Sequence, residues 1–201
     1  MKLFSFTTYR ILRGIAVAFV HLCHPSIKVE GKENIPEGPV VICCNHSAAS
    51  DPIYLLGKAR LSEPVPIMAK QELMKIPVLG WLYQKLGAIP LDRSGSDLVA
   101  IKTAMKALRE GKKLLIFPEG TRVRKGKKSE PHSGAVMLAV RTNTKILPCY
   151  VSSKKSFLRR VHVVYGEAYH PEISNPKPGN EELQSLSEEM MAKIYALGEN
   201  K

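Results

Sequence analysis

Val40-Val41-Ile42-Cys43-Cys44-Asn45-His46-Ser47-Ala48-Ala49-Ser50-Asp51-Pro52 reads as a buried strand that stops at a histidine and gives way to a helix. Val40 to Cys44 is an unbroken apolar run rich in β-branched residues, the pattern of a strand covered on both faces. Asn45 and His46 end the run. Asp51 can cap a helix and Pro52 suits its first turn. His46 therefore sits where a central strand of an open α/β sheet runs out, the usual place for a ligand. Asp51, five residues on, is close enough to accept a hydrogen bond from the imidazole. A carboxylate there fixes the tautomer and stabilises the imidazolium when the other ring nitrogen takes a proton. A core histidine beside a helix cap would show the same spacing, so the chemistry has to be sought in the rest of the chain.

Working towards the N-terminus, Lys28 to Pro39 reads as a connector with turn residues Gly31, Asn34, Pro36 and Gly38. Before it, Phe4, Ile11, Leu12, Ile15, Phe19 and Leu22 fall at helical spacing, interrupted by Arg10 and Arg13. The uncharged stretch Gly14–Val20 is far shorter than the ~20 residues that span a bilayer, and no small-x-small cleavage site follows it. Residues 1–27 are expected to be an amphipathic segment lying on a membrane surface, with a helix packed on the domain as the alternative. Residues 28–201 form the second unit.

Towards the C-terminus a helix runs from Asp51 to about Ala59, and Pro64 to Met68 is a short strand. Lys70 to Leu86, broken by Pro77 and Gly80, is expected to hold two short helices. Gly87 to Leu91 is extended and ends in Asp92-Arg93. The clearest helix is Asp97–Glu110, with Leu98, Ile101, Met105 and Leu108 on one face, Ser94 and Ser96 as caps and Gly111 as its stop. Lys113 to Phe117 is a strand closed by Pro118-Glu119-Gly120-Thr121-Arg122. A basic loop, Val123 to Ser133, follows, then a helix over Gly134–Arg141 and strands over Ile146–Val151 and Val161–Tyr165. Between these two strands Ser156–Arg160 is basic. A Pro-rich loop over Pro171–Gly179 leads to a final helix over Asn180–Leu197. The alternation predicts an α/β domain with one mixed, largely central sheet flanked by helices.

The 201 residues are 44% apolar and 24% charged, a globular composition able to bury a full core. A net charge of +12 favours a polyanionic partner: nucleic acid, an anionic membrane or a phosphorylated substrate. Nucleic acid is disfavoured, because aromatics are only 6% of the chain and do not interleave the basic clusters. Cys23, Cys43, Cys44 and Cys149 lie in or beside apolar runs without metal-ligand spacing, as small core residues of a reducing compartment do.

Three strand ends thus carry polar groups: His46 with Asp51, then Asp92-Arg93, then Glu119 to Arg122. Brought to one sheet edge, they would set a general base beside two arginines, which bind phosphate bidentately and keep their charge. Gly120 allows close backbone approach, Thr121 adds a hydroxyl, and Glu119 can hold a hydroxyl or an arginine. An alcohol hydroxyl is a poor nucleophile at neutral pH, and a positioned histidine that takes its proton as it attacks activates it without a metal. The turn after His46 could supply N–H groups for an oxyanion. Cys44 adjoins the site but belongs to the strand, so direct transfer is simpler than a covalent intermediate.

Asn45-His46-x4-Asp51, Gly87-Ala-Ile-Pro-Leu-Asp-Arg93, Phe117-Pro-Glu-Gly-Thr-Arg122 and Ile146-Leu-Pro-Cys-Tyr-Val151 resemble, in this order, the four blocks of the glycerolipid acyltransferases. They are most similar to those of the bacterial 1-acyl-sn-glycerol-3-phosphate acyltransferases. Ala69-Lys70-Gln71-Glu72-Leu73 and Gly134 to Ala139 are also similar to that family, so the resemblance covers about residues 28–170. It implies acyl transfer from acyl-CoA or acyl carrier protein to lysophosphatidic acid, giving phosphatidic acid; the N-terminal helix and the basic charge place the expected protein on the cytoplasmic face of an anionic membrane. No cofactor is implied beyond the donor substrate. By position, His46 would be the general base and Asp51 its orienting partner. Lys70, Arg93 and Arg122 would contact the acceptor phosphate, and Glu119, Gly120 and Thr121 would shape the acceptor site. Two positions depart from the pattern. Ala48 stands where the family usually has serine, and Pro131-His132-Ser133 where it usually has a lysine. Both bear on the acceptor, so another lysolipid is the alternative substrate, and a non-catalytic basic lipid- or nucleic-acid-binding module is the alternative class.

Overall fold

The computed structural model describes residues 6–24, 26–59, 61, 63–77, 79–92, 97–123, 129–153, 155 and 160–199. Five strands build the main sheet: β1 (Ile27–Glu30), β2 (Val40–Cys44), β5 (Leu114–Ile116), β6 (Lys145–Val151) and β7 (Val161–Tyr165), in the order β1-β7-β6-β2-β5. β2 pairs in parallel with β6 (Val40↔Lys145 to Cys44↔Cys149) and with β5 (Val41↔Leu114 to Cys43↔Ile116). β6 and β7 are antiparallel, and β1 closes the edge parallel to β7. A smaller parallel pair, β3 (Met68–Lys70) and β4 (Ile89–Leu91), joins the far edge through a parallel bridge between Ile67 and Leu115. The sheet is mixed and central, as the alternation of elements implies.

The period-2 alternation of β2 sorts the core into two layers. Val41 and Cys43 face α4 (Leu98–Arg109), α5 (Gly134–Thr142) and α6 (Asn180–Ala196), packing with Ala104, Leu108, Val136, Leu138 and Met190. Val40, Ile42 and Cys44 face α2 (Asp51–Lys58), packing with Tyr54, Leu55 and Leu147. Every residue of β2 is buried, which is why its sequence is a continuous apolar run rather than an alternating one. Cys43, Cys44 and Cys149 are free thiols inside this core.

Several local expectations need correction. Ile27–Glu30 is a strand that takes in the first residues of the span read as a connector, Lys28 to Glu30, because four residues of mixed polarity gain their strand character only from pairing with β7. The short strand expected over Pro64–Met68 lies at Met68–Lys70, and the first of the two short helices is a 3-10 turn over Gln71–Lys75, followed by α3 (Leu79–Lys85). Asp97 caps α4, its carboxylate accepting from the Ala100 N–H; Ser94 and Ser96 lie outside the described residues. The buried face of α4 is Ala100, Ala104, Ala107 and Leu108, whereas Leu98 is exposed. Small residues let α4 approach the sheet closely, a feature that a search for large apolar side chains passes over.

α1 (Phe6–Cys23) lies against α2. Tyr9, Arg13 and Val17, spaced by four, form its inner stripe. Tyr9 is buried, Arg13 donates from Nη1 to the Leu61 carbonyl at 2.9 Å, and Val17 sits over Gly57, where a Cβ would come within 2.5 Å of its Cγ2. Ile11, Ile15 and Leu22 lie on the other side and are exposed. The helix is thus docked along one stripe and apolar along the other. No helix among the described residues is long and apolar enough to cross a membrane.

Candidate active site

Because β2, β5 and β6 run parallel, their C-terminal ends open on one edge of the sheet, and β3 and β4 run the same way beside them. His46, Phe117–Arg122, Lys70 and Asp92 meet at this edge around a cleft of about 570 Å³. Its polar lining includes His46, Lys70, Asp92, Thr121, Arg122 and His132, and its apolar lining includes Ile67, Leu73, Ile101 and Met137. Arg93 lies outside the described residues, although its neighbour Asp92 lines the cleft.

His46 is held on every side but one. The Asn45 amide extends the β2–β6 ladder past Cys44, its Nδ2 donating to the Val151 carbonyl at 2.9 Å and its Oδ1 accepting the Val151 N–H at 2.8 Å. The His46 N–H donates to Oε2 of Glu119 at 2.6 Å, and the His46 carbonyl accepts from the Val123 N–H at 2.8 Å. The imidazole stacks on Phe117, with centroids 4.2 Å apart at 27°. Nδ1 lies 2.9 Å from Oδ2 of Asp51. An ionised carboxylate can only accept, so Nδ1 carries the proton and Nε2 presents a lone pair. Among the described residues Nε2 has no partner. The side chain is 19% exposed and borders the cleft, the state required of a base awaiting a hydroxyl.

Asp51 is completely buried. It does not cap α2; Ser50 precedes that helix, and Oδ2 accepts instead from the N–H groups of Ser47 at 2.7 Å and Ala48 at 2.8 Å. These two donors are therefore committed to Asp51 and are not free for an oxyanion. Oδ1 takes the Lys155 ammonium at 2.6 Å. Burial pushes the Asp51 pKa up, but the His46 hydrogen bond, the Lys155 charge and the Ala48 N–H outweigh it and hold the carboxyl below its ordinary value.

Glu119 is not a wall of the cleft. Its side chain is buried, with Oε2 on the His46 main chain and Oε1 accepting from the Tyr195 hydroxyl of α6. Gly120 adopts φ +65°, a left-handed conformation that glycine reaches without strain, and this turns the chain so that Thr121 and Arg122 border the cleft. Lys70 stands at the rim, paired with Glu72 at 3.1 Å. Cys44 is fully buried, and burial raises its thiol well above the ordinary range, so it is an inert core residue rather than a nucleophile.

A family model described as Acyltransferase matches residues 26–152, which hold both the dyad and the Glu119–Arg122 turn. The chain belongs to the acyltransferase family. The 1-acyl-sn-glycerol-3-phosphate acyltransferase of Pseudomonas aeruginosa is 32% identical over 181 residues, covering 83% of this chain and 69% of that protein. The Bacillus subtilis protein of the same name is 33% identical over 181 residues, covering 87% and 89%. The crystal structure of the 1-acyl-sn-glycerophosphate (LPA) acyltransferase of Thermotoga maritima is similar with a TM-score of 0.68 at 25% identity, covering 96% of this chain and 82% of that one. Three residues of this acyltransferase site escaped the sequence reading. Asn45 shows no role in its own motif, and only the ladder it extends reveals one. Tyr195 reaches Glu119 across 76 residues, and Lys155 reaches Asp51 from a basic stretch that resembles ordinary solvated charge.

Proposed function

We propose that this acyltransferase moves a fatty acyl group from an acyl thioester, acyl-CoA or acyl carrier protein, to the free sn-2 hydroxyl of 1-acyl-sn-glycerol-3-phosphate, giving phosphatidic acid. The observation that carries the reading is Nε2 of His46, oriented from behind by Asp51 and open to a cleft that Arg122 and Thr121 also line. The relatives named above bear that activity in their names. Nε2 takes the proton as the sn-2 oxygen attacks the thioester carbon. The tetrahedral intermediate collapses, the carbon–sulfur bond breaks, and the thiolate recovers the proton from the imidazolium. Base catalysis of this kind contributes ~10²–10⁴-fold. Arg122, with Arg93 and Lys70, is assigned to the acceptor phosphate, and the apolar walls suit an acyl chain. The reaction as written uses no cofactor.

The chain would act as a peripheral protein on the cytoplasmic face of an anionic membrane, where its lipid substrate resides. The exposed stripe Ile11, Ile15 and Leu22 and the net charge of +12 support this. The decisive experiment incubates purified protein with lysophosphatidic acid and each donor type and reads the lipid product by mass spectrometry. Phosphatidic acid is the expected product. Transfer only to a different lysolipid would reassign the acceptor, and Ala48 and His132 would then be the first positions to probe. No transfer to any lysolipid would refute the reading.

A further inference from the structure

Lys155, outside the recognised motifs, reaches the dyad with a charged side chain. It follows β6 on the loop leading to β7, and its side chain is only 7% exposed. Its ammonium lies 2.6 Å from Oδ1 of Asp51 and donates to the Ser47 hydroxyl at 2.7 Å, with the Tyr54 ring 5.9 Å away. The main chain is fixed as well. The His24 imidazole bridges the Tyr54 hydroxyl, at 2.7 Å from Nδ1, and the Lys155 carbonyl, at 3.2 Å from Nε2. A lysine is seldom buried unless its charge is needed there.

We infer that Lys155 is a positioning residue that makes the dyad a His46–Asp51–Lys155 triad and sets the basicity of His46. The inference rests on the general-base role proposed above and adds what tunes that base. The two oxygens of Asp51 divide the work: Oδ2 orients the imidazole and Oδ1 faces the ammonium. A buried carboxylate facing His46 alone favours the imidazolium over the neutral ring that offers a lone pair. The ammonium across the same carboxylate offsets that field while leaving the hydrogen bond intact. It also keeps Asp51 ionised inside the protein.

Other charges surround the imidazole. Glu119 lies under its main chain, and Lys70, Asp92, Asp97, Arg122, His132 and the Tyr83 phenol line the cleft it borders; His24 stands behind Lys155. These are unchanged by substitution at 155, so a shift on removing the ammonium reports that group.

The test follows the His46 ring nitrogens by NMR across pH in the full chain, a readout that needs no turnover. In Lys155→Met the His46 titration should move up by about one pH unit, and the acid limb of kcat/KM for acyl transfer should move with it. Lys155→Arg, which keeps the charge, should titrate close to the unsubstituted protein. An unmoved titration in Lys155→Met overturns the inference, as does loss of turnover in Met and Arg alike with the titration unchanged, which is the mark of a purely structural lysine. Asp51→Asn, nearly isosteric, is a second test should the methionine variant not fold. With the carboxylate gone and the ammonium still present, the His46 titration should move to lower pH than in the unsubstituted protein, and an unmoved or raised titration overturns the inference. Absence of phosphatidic acid from the unsubstituted protein would instead refute the proposed reaction, and the NMR titration would still decide whether Lys155 tunes His46.

Discussion

The main-chain N–H of His46 donates to Oε2 of Glu119 at 2.6 Å, across 73 residues of sequence. Oε1 of the same buried carboxylate accepts from Tyr195, so Glu119 ties the strand end that bears His46 to the C-terminal helix. Burial and the adjacent Glu119 carboxylate push the Tyr195 phenol up, so it remains a donor at physiological pH. Glu119→Ala orphans both partners, and each loss costs about 1–3 kcal/mol. The variant should unfold at lower urea and turn over more slowly, with the acceptor KM little changed. Glu119→Gln should fall between, because its amide can accept from only one of the two donors. A raised acceptor KM with unaltered stability would instead place the carboxylate against substrate.

His46→Ala removes the proposed base and should lower kcat by ~10²–10⁴-fold with a cooperative unfolding transition retained. Asp51→Asn keeps the size of the side chain but turns one oxygen into a donor, so the imidazole tautomer is no longer fixed. A loss in kcat with intact fold is expected, read by steady-state kinetics and circular dichroism together. Near-normal turnover in His46→Ala would rule out the general-base role.

The alternation of strands and helices and the edge on which the site opens are legible in the sequence, because β2 is a continuous apolar run that ends at Asn45 and His46. β1 was not legible, since its strand state depends on β7, more than a hundred residues away. The same distance hides the second tier of the site. His46 and Asp51 are five residues apart and signal each other locally. Glu119, Tyr195 and Lys155 act through contacts that only the folded sheet creates, and nothing in their own neighbourhoods distinguishes a buried cation at 155 from the lysines and arginines around it. Glu119 was recognised as part of its motif but assigned to the cleft, because a turn sequence does not show which side chain faces inward.

Arg122→Lys keeps a positive charge at the cleft but loses the paired N–H geometry that matches a phosphate. The acceptor KM should rise about tenfold, the equivalent of one lost charge-assisted hydrogen bond, while the donor KM stays within about twofold. An unchanged acceptor KM would mean that the phosphate is held elsewhere, with Lys70 the next position to substitute.

Acid should weaken the fold through Asp51. Its carboxyl is held below the unfolded value of 3.8, so the native state binds fewer protons than the unfolded chain. The stability it contributes is fully present above about pH 4–5 and is lost as pH falls through the depressed folded value. The gap in unfolding free energy between the unsubstituted protein and Asp51→Asn should therefore shrink between pH 5 and pH 2, measured by urea titration. A gap independent of pH would show that the carboxylate is not differentially ionised on folding.

The two stripes of α1 make separable predictions. Ile11→Ser with Ile15→Ser removes apolar side chains from the exposed stripe and leaves the docked stripe of Tyr9, Arg13 and Val17 intact. Interfacial binding combines buried apolar area with attraction to anionic lipid, the latter worth ~1 kcal/mol per basic residue near the surface. The double variant should therefore sediment less with anionic vesicles, and its residual binding should be abolished by salt, which screens only the electrostatic part. Deleting residues 1–22 should release the protein further and lower activity on bilayer-embedded acceptor. A dispersed short-chain acceptor should be affected less, since His46, Asp51 and Arg122 lie outside the deletion. Gly57→Leu acts on the other stripe: the added side chain collides with Val17 and should loosen α1 from α2, lowering stability while keeping vesicle binding. If the Ile11 and Ile15 double variant sediments like the unsubstituted protein, the membrane contact lies elsewhere on the basic surface, and the outward stripe of α1 has no part in it.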